Sequence, residues 1–326
     1  MSNVNWPVPL IRLNPWYPGQ FGVPGTDNET GLRTDSHGAI FYVDPNAVGV
    51  SDGRDGTNPN DPLETVGAAL TKCQPYRGDV IAVMANNSWQ YGDPSDLRAT
   101  AIAESVTVTV PGVRIVGVAS GGQGVYWSPA AALGTCITVH AIDVTIEGFF
   151  FTGGAFGGTA ISSVWDGITT FGENLTVRHC VFDDTIDTGV QLEYSWYCDI
   201  HDCLFQGCDA YGVYTAAAGS GTAYTRIHNN SFIDCATAAI ALLGGADDNF
   251  IYGNRIYNGN AQAAGVATNE GINTTGGARN MVTGNWFSCL LTVPAAGDID
   301  DLCTGSATDA WTGNYCTNGL LVTTPT

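Results

Sequence analysis

The sequence predicts an all-β solenoid, one chain wound into stacked coils, and three observations predict it. A short phrase recurs as LTVRHCVFDDT (175–185), CDIHDCLFQGC (198–208), TRIHNNSFIDC (225–235), NFIYGNRIYNG (249–259) and NMVTGNWFSCL (280–290). Aligned on their central β-branched or apolar residue, the phrases and their relatives give Ile115, Ile146, Val177, Ile200, Ile227, Ile251, Val282 and Trp311. The steps are 31, 31, 23, 27, 24, 31 and 29 residues, the period range of a solenoid whose coils differ in loop length. Within each phrase apolar and polar residues alternate, which is strand rather than helical periodicity. One phrase is therefore one strand segment of one coil.

The elements follow in chain order. Residues 1–38 stand outside the repeat. NWPVPLIRLNPWYPGQFGVPG mixes Pro and Gly with Trp6, Trp16, Tyr17 and Phe21, too apolar for a free linker and too broken for a helix. Such an arm needs a surface, either its own solenoid or another chain; Trp6, Trp16, Tyr17 and Phe21 are the anchoring candidates. Residues 39–105 read as an N-terminal cap and first coils. They open with a strand and a DG-rich turn, then a helix near 61–73 with Asp61 as N-cap, Pro62 in the first turn and Glu64 closing a capping box. A solenoid must hide its open first edge, and this helix is placed to do so. Residues 106–326 supply the coils.

Two inward columns are expected beside the anchors. Three residues past each anchor stand Phe149, Cys180, Cys203, Asn230, Asn254, Asn285 and Asn314; an Asn repeated at a fixed bend can hydrogen-bond main chain and the next coil. Two residues further on, Phe151, Phe182, Phe205, Phe232, Ile256, Phe287 and Cys316 form an apolar stack with the inter-strand spacing of about 4.8 Å.

Composition excludes several classes. The 326 residues carry 31 Asp and Glu against 11 Lys and Arg, a formal net charge of −20, so phosphate backbones and anionic lipid are repelled and neither nucleic acid nor membrane is an expected partner. The start has neither a basic region nor an unbroken apolar run, so no export signal is expected. Ten cysteines show no CxxC and no zinc spacing. Cys180 with Cys203 and Cys208 with Cys235 fall in matched columns, where disulfides and stacked thiols are equally compatible with the spacing.

With its phrases, columns and the opening FYVDPNAVGVSDGRDGTNPNDPLETVGAALTKCQ, the chain resembles the right-handed parallel β-helix superfamily, the pectate-lyase-like solenoids, over residues 39–326. That resemblance implies a single-stranded right-handed parallel β-helix and raises lyases, hydrolases and epimerases acting on polysaccharides. Their sites use acids with Arg or Lys beside them on an outward strand face. The candidates here are Arg178, His201 and His228 in one outward column, with Asp183 and Asp184 at a strand end; the competing reading is surface decoration, since the column continues as Tyr252 and Thr283. Departures weigh against catalysis: neither GHG nor an RIK-like string occurs, no DPHE-like string is present, and Lys72 is the sole lysine, placed on the capping helix. No cofactor is expected; calcium is the ion to consider, at Asp52, Asp55 and Asp61, although Asp-Gly pairs form turns with no ion.

The functional expectation is a non-enzymatic structural or attachment protein on a particle surface, a bacteriophage virion decoration, fibre or spike component held by its arm, with other virion or surface proteins as partners. One alternative is a polysaccharide-active lyase or glycoside hydrolase, such as a phage depolymerase, and an extracellular location. A second is a glycan-binding surface module offering Trp89, Tyr91, Trp127 and Trp165 as stacking platforms. Self-association into a homo-oligomer is left open.

Overall fold

The computed structural model describes residues 38–84, 102–118, 125–153, 157–165, 172–183, 186–215, 221–257, 270–288, 303–316 and 321–322. The arm residues Trp6, Trp16, Tyr17 and Phe21, together with Trp89, Tyr91 and Asp184, lie outside them. Strands of successive coils stack into three long sheets. Sheet A runs through ten strands from Ile40–Val43 to Ala310–Thr312. Sheet B has ten, from Ile102–Ala103 to Leu321–Val322, and sheet C eight, from Val106–Val108 to Cys303–Thr304. From Val80–Met84 to Cys303–Thr304 each coil visits A, then B, then C, and every pairing is parallel except the last, where Leu321–Val322 turns back antiparallel on Asn314–Cys316. Among the described residues no helix is long and apolar enough to cross a membrane.

The anchor ladder has the register that the repeat predicts. Ile115 pairs Ile146, Ile146 pairs Val177, and the series continues through Ile200, Ile227, Ile251 and Val282 to Trp311. Phe41 and Ile81 extend it upstream. All are buried, and each such side chain withdrawn from water contributes about 1.5 to 3 kcal/mol. In sheet B the rings of Phe151, Phe182, Phe205 and Phe232 stack face to face, with centroids 5.2, 4.5 and 4.6 Å apart. Sheet C yields space to them at glycine. A Cβ on Gly189 would come within 2.7 Å of the Phe205 ring, and one on Gly212 within 2.6 Å of Phe232, so no side chain fits there.

Sharp bends join A to B, and from Ile146 onward the residue two past each anchor makes the bend in the left-handed backbone region. Gly148, His179, Asp202, Asn229, Gly253, Gly284 and Gly313 all have φ between 52° and 80°. One residue later the Asn column is buried as expected, and it forms a continuous amide ladder. The Oδ1 atoms of Asn254, Asn285 and Asn314 each accept the backbone N–H of the Asn one coil earlier at 3.0 Å. A second ladder stands on the other flank of sheet A. There Asn249 Oδ1 accepts Thr225 N–H, Asn280 Oδ1 accepts Asn249 N–H, and Asp309 Oδ1 accepts Asn280 N–H.

The helix departs from expectation. α1 spans Val66–Lys72 and its N-cap is Thr65, whose hydroxyl accepts Ala68 N–H; Asp61 instead pairs with Arg54 at 2.9 Å. The physical reason is Leu63. It is buried and exchanges backbone hydrogen bonds with Tyr42 and Asp44, forming a bridge to Val43 that keeps the chain extended past Pro62. The freed first-turn donors of Val66 and Gly67 are taken by the Glu104 carboxylate.

The cysteine alternatives resolve as thiols. Eight described cysteines are free and buried, Cys180, Cys203, Cys208 and Cys235 among them. Burial pushes the thiols of Cys73 and Cys198 up to about 12.

Candidate functional site

Strand pleating points alternate residues of sheet A outward in two files. One reads Glu147, Arg178, His201, His228, Tyr252 and Thr283, which are consecutive register partners. The other contains Asp199, Arg226, Phe250 and Met281. The structure thus brings Arg178, His201 and His228 together as the spacing predicts. The imidazoles of His201 and His228 stack 5.0 Å apart and 6° from parallel, and Tyr252 stacks on His228 at 4.6 Å.

Asp183 does not join them. It ends the sheet B strand Val181–Asp183, across the bend at His179. The carboxylates that do meet this column are Glu147, Asp199 and Asp202. Glu147 is fully buried between two guanidiniums, Arg114 at 2.8 Å and Arg178 at 2.5 Å. Asp199 accepts from Arg226 Nη2 at 2.6 Å and from His228 Nε2 at 2.9 Å, and Asp202 accepts from His201 Nδ1 at 2.7 Å. The DIHD string of residues 199–202 was the signal for two of these acids. Glu147 carried none, because its coil shares the anchor but not the His.

Burial lowers the pKa of His228, with His201 and Arg226 acting in the same direction and Asp199 against it. With Nε2–H donating to Asp199, the buried Nδ1 of His228 is an acceptor with no hydrogen-bond partner. His179, set at the bend and 6.2 Å from His201, is likewise lowered, chiefly by burial.

The loop acids are placed apart in function. Asp52 accepts Glu64 and Thr65 N–H groups ahead of α1, Asp55 closes a turn onto Thr57 N–H, and Asp61 is paired with Arg54. Among the described residues no three His, Cys, Asp or Glu side chains converge where a metal ion could sit. Of the aromatic platforms, Trp127 is fully buried in the sheet B stack and offers no face to a sugar, whereas Trp165 is exposed. Other exposed rings escaped the sequence reading: Tyr197 and Tyr224, at the turn from C to A, stack 5.2 Å apart.

The three sheets, the parallel register and the Asn ladder define a right-handed parallel β-helix, and the chain is a protein of that fold. The family model described as periplasmic copper-binding protein (NosD) matches residues 152–289, the most regular coils. ORF18 of Geobacillus virus E2 is similar in structure with a TM-score of 0.55 and 12% identity, over 85% of this chain and 57% of that one. An alginate lyase from Paenibacillus sp. str. FPU-7 is similar with a TM-score of 0.51 and 15% identity, over 78% of this chain and 93% of the lyase. No curated protein sequence matches the chain. The copper in the family's description finds no matching donor set among the described residues: eight of the thiols are in the core, and His201 and His228 each donate to a separate carboxylate.

Proposed function

We propose that this chain is a non-enzymatic structural or attachment component of a phage particle surface, held to the particle through residues 1–38 with Trp6, Trp16, Tyr17 and Phe21 as apolar anchors. The observation that supports this reading best is how the acids and bases of sheet A are engaged. Glu147 is paired with two arginines, Asp199 is hydrogen-bonded by Arg226 and His228, and Asp202 by His201. A general acid and base must face a substrate atom with a proton to give or take, and these groups face one another. The outward file of sheet C adds no such pair, reading Thr138, Ser162, Gln191, Tyr214, Ala241 and Asn273. The shared fold with a viral open reading frame product supports the particle setting.

A second reading, contact with a polysaccharide, is favoured by the exposed Tyr197 and Tyr224 stack and by Trp165, since sugar C–H faces stack on such rings. The two readings are compatible if the solenoid touches glycan without cutting it. Incubation with acidic and neutral polysaccharides, with and without calcium, tests the non-enzymatic claim. No new reducing ends or unsaturated products are expected. Cleavage abolished by His201→Ala or Asp184→Ala would overturn it. A chain starting at Ala39 is expected to fold and to lose particle binding; undiminished binding would move the anchor to the solenoid.

A further inference from the structure

The first coil closes the leading edge of sheet A but not that of sheet C. On the outer edge of the first sheet A strand, Ile40–Val43, Tyr42 donates its N–H to Gly56 O at 2.7 Å and accepts Leu63 N–H at 2.9 Å, so the loop ahead of α1 satisfies that edge. Sheet C begins at Val106–Val108, whose partner strand is Thr135–Val139. Val108 O accepts His140 N–H at 2.9 Å, which turns the main-chain groups of Val106 and Val108 toward that partner. Successive residues of a strand turn these groups to opposite sides, so Ser105, Thr107 and Thr109 direct theirs away from it. Where a preceding strand would stand, the chain has α1 instead, and among the described residues no hydrogen bond reaches the Thr107 main chain on that side.

A groove of about 410 Å³ lies between that open edge and α1. Ser105, Thr107 and Thr109, the residues whose main chain is turned outward, form one wall, and Gly67, Leu70 and Thr71 of α1 form the other. Unpaired donors and acceptors along a strand edge are a template for a further strand, which would lie about 4.8 Å away in the plane of the sheet. Glu104 is the one charged residue lining the groove. The fitting occupant is therefore an extended segment that can donate main-chain N–H groups and brings no acid of its own.

We propose that residues 10–14 of the chain's own arm, LIRLN, fill this groove as an added strand of sheet C. Proline cannot donate to a ladder and glycine weakens one, and the arm has four runs of five or more residues that lack both: 1–6, 10–14, 26–30 and 32–37. In the last two Asp27, Glu29 and Asp35 would meet Glu104 with like charge, and MSNVNW has no cationic side chain. LIRLN has the apolar Leu10, Ile11 and Leu13 with Arg12 as the complement of Glu104. The arm also joins the solenoid beside the groove. Ala39 N–H and Gln74 N–H both donate to the buried Asp79 carboxylate at 2.7 Å, and Cys73, next to Gln74, lines the groove. A flexible tether rooted there holds its segment at millimolar effective concentration, which a separate chain at micromolar concentration does not match. Trp16, Tyr17 and Phe21 fall between the added strand and the solenoid, so they stay available to another surface. The inference does not depend on the particle reading, and neither result decides the other.

Hydrogen exchange of the full chain, read by mass spectrometry, tests the proposal. Peptides covering residues 10–14 and Thr107 should exchange at least about tenfold more slowly than an unstructured chain. Ile11→Pro with Arg12→Pro removes a ladder donor whichever of the two residues faces Thr107, and should release both segments. Thr107→Pro removes the donor on the groove side and leaves the bonds of Val106 and Val108 to Thr135–Val139 in place. In that variant residues 10–14 should lose protection, while the strands from Thr145–Glu147 to Trp286–Ser288 keep theirs. Unprotected exchange of residues 10–14 in the wild type would overturn the proposal, as would protection there that survives Thr107→Pro. Protection of residues 85–101 in their place would give the groove to that segment and overturn it too. So would protection of residues 10–14 seen only where sedimentation velocity shows a dimer, since the arm would then come from a second copy.

Discussion

Replacing Asn254 by Leu tests the principle that binds the coils together. The Asn254 side chain makes four hydrogen bonds. Its Nδ2 donates to Ile227 O at 2.9 Å and to Asn285 Oδ1 at 3.0 Å, and its Oδ1 accepts Asn230 N–H at 3.0 Å and Asn230 Nδ2 at 3.1 Å. Two of the partners keep a bond when it goes: Asn285 Oδ1 still receives the Asn254 backbone N–H, and Asn230 Nδ2 still reaches Ile200 O. The Asn230 backbone N–H is left buried without that acceptor, and the Ile227 carbonyl without that donor. An orphaned buried donor costs about 1 to 3 kcal/mol and an under-satisfied carbonyl less, while the new apolar side chain returns part of the loss. The expected net destabilisation is about 1 to 3 kcal/mol. Asn254→Cys should cost less, because Cys180 and Cys203 occupy the same column with weak Sγ–H contacts to carbonyls. Equilibrium urea unfolding, followed by circular dichroism at matched slope, reads the difference. Losses below about 0.5 kcal/mol at both Asn254 and Asn285 would refute the ladder as a stabilising element.

Other expectations follow from the same coordinates. Ile227→Ala removes the middle of the anchor ladder and should cost about 2 to 5 kcal/mol by cavity formation, read in the same urea titration. Burial lowers His228 and His179 below their ordinary value of 6.5, so the stability they contribute is complete above that pH and is lost as the pH falls through their folded values. His228→Gln should flatten the decline of the urea midpoint between about pH 7 and pH 5, and an unchanged slope would count against a buried neutral imidazole. Eight cysteines, Cys73, Cys136, Cys180, Cys198, Cys203, Cys208, Cys235 and Cys303, are buried, with Cys73 and Cys198 pushed up to about 12, so thiol reagents should label these eight only after denaturation. Rapid labelling of Cys203 or Cys235 in the native protein would contradict the packing of the coils.

The parts of the fold that were legible are those where each coil repeats one chemistry. Ile146, Val177, Ile200, Ile227, Ile251 and Val282 are all β-branched because one pleated inward slot is filled in every coil, so alignment recovers the register. Phe151, Phe182, Phe205 and Phe232 were readable for the same reason. The bend column was not, because glycine, histidine, aspartate and asparagine meet its left-handed backbone by different means and share no hydropathy. The second amide ladder was hidden likewise, its rungs being Thr225, Asn249, Asn280 and Asp309. Local signals misled at the helix, where an acceptable capping box at Asp61 lost to the long-range bridge between Leu63 and Val43. On the candidate face, periodicity placed Arg178, His201 and His228 correctly, but it could not show that Glu147 pairs with Arg178 and Asp199 with His228 from neighbouring coils. Asp183 is adjacent in sequence yet lies beyond a bend, on another sheet.

The central claim, that the chain is a structural part of a particle surface, is tested most directly by quantitative mass spectrometry of density-purified particles. These would come from cultures that produce the chain and be compared with the particle-free supernatant. The account predicts that the chain bands with the particles at a fixed ratio to the major shell protein and stays with them through a second gradient. Recovery of the chain only in the supernatant, with none on intact particles, would contradict it.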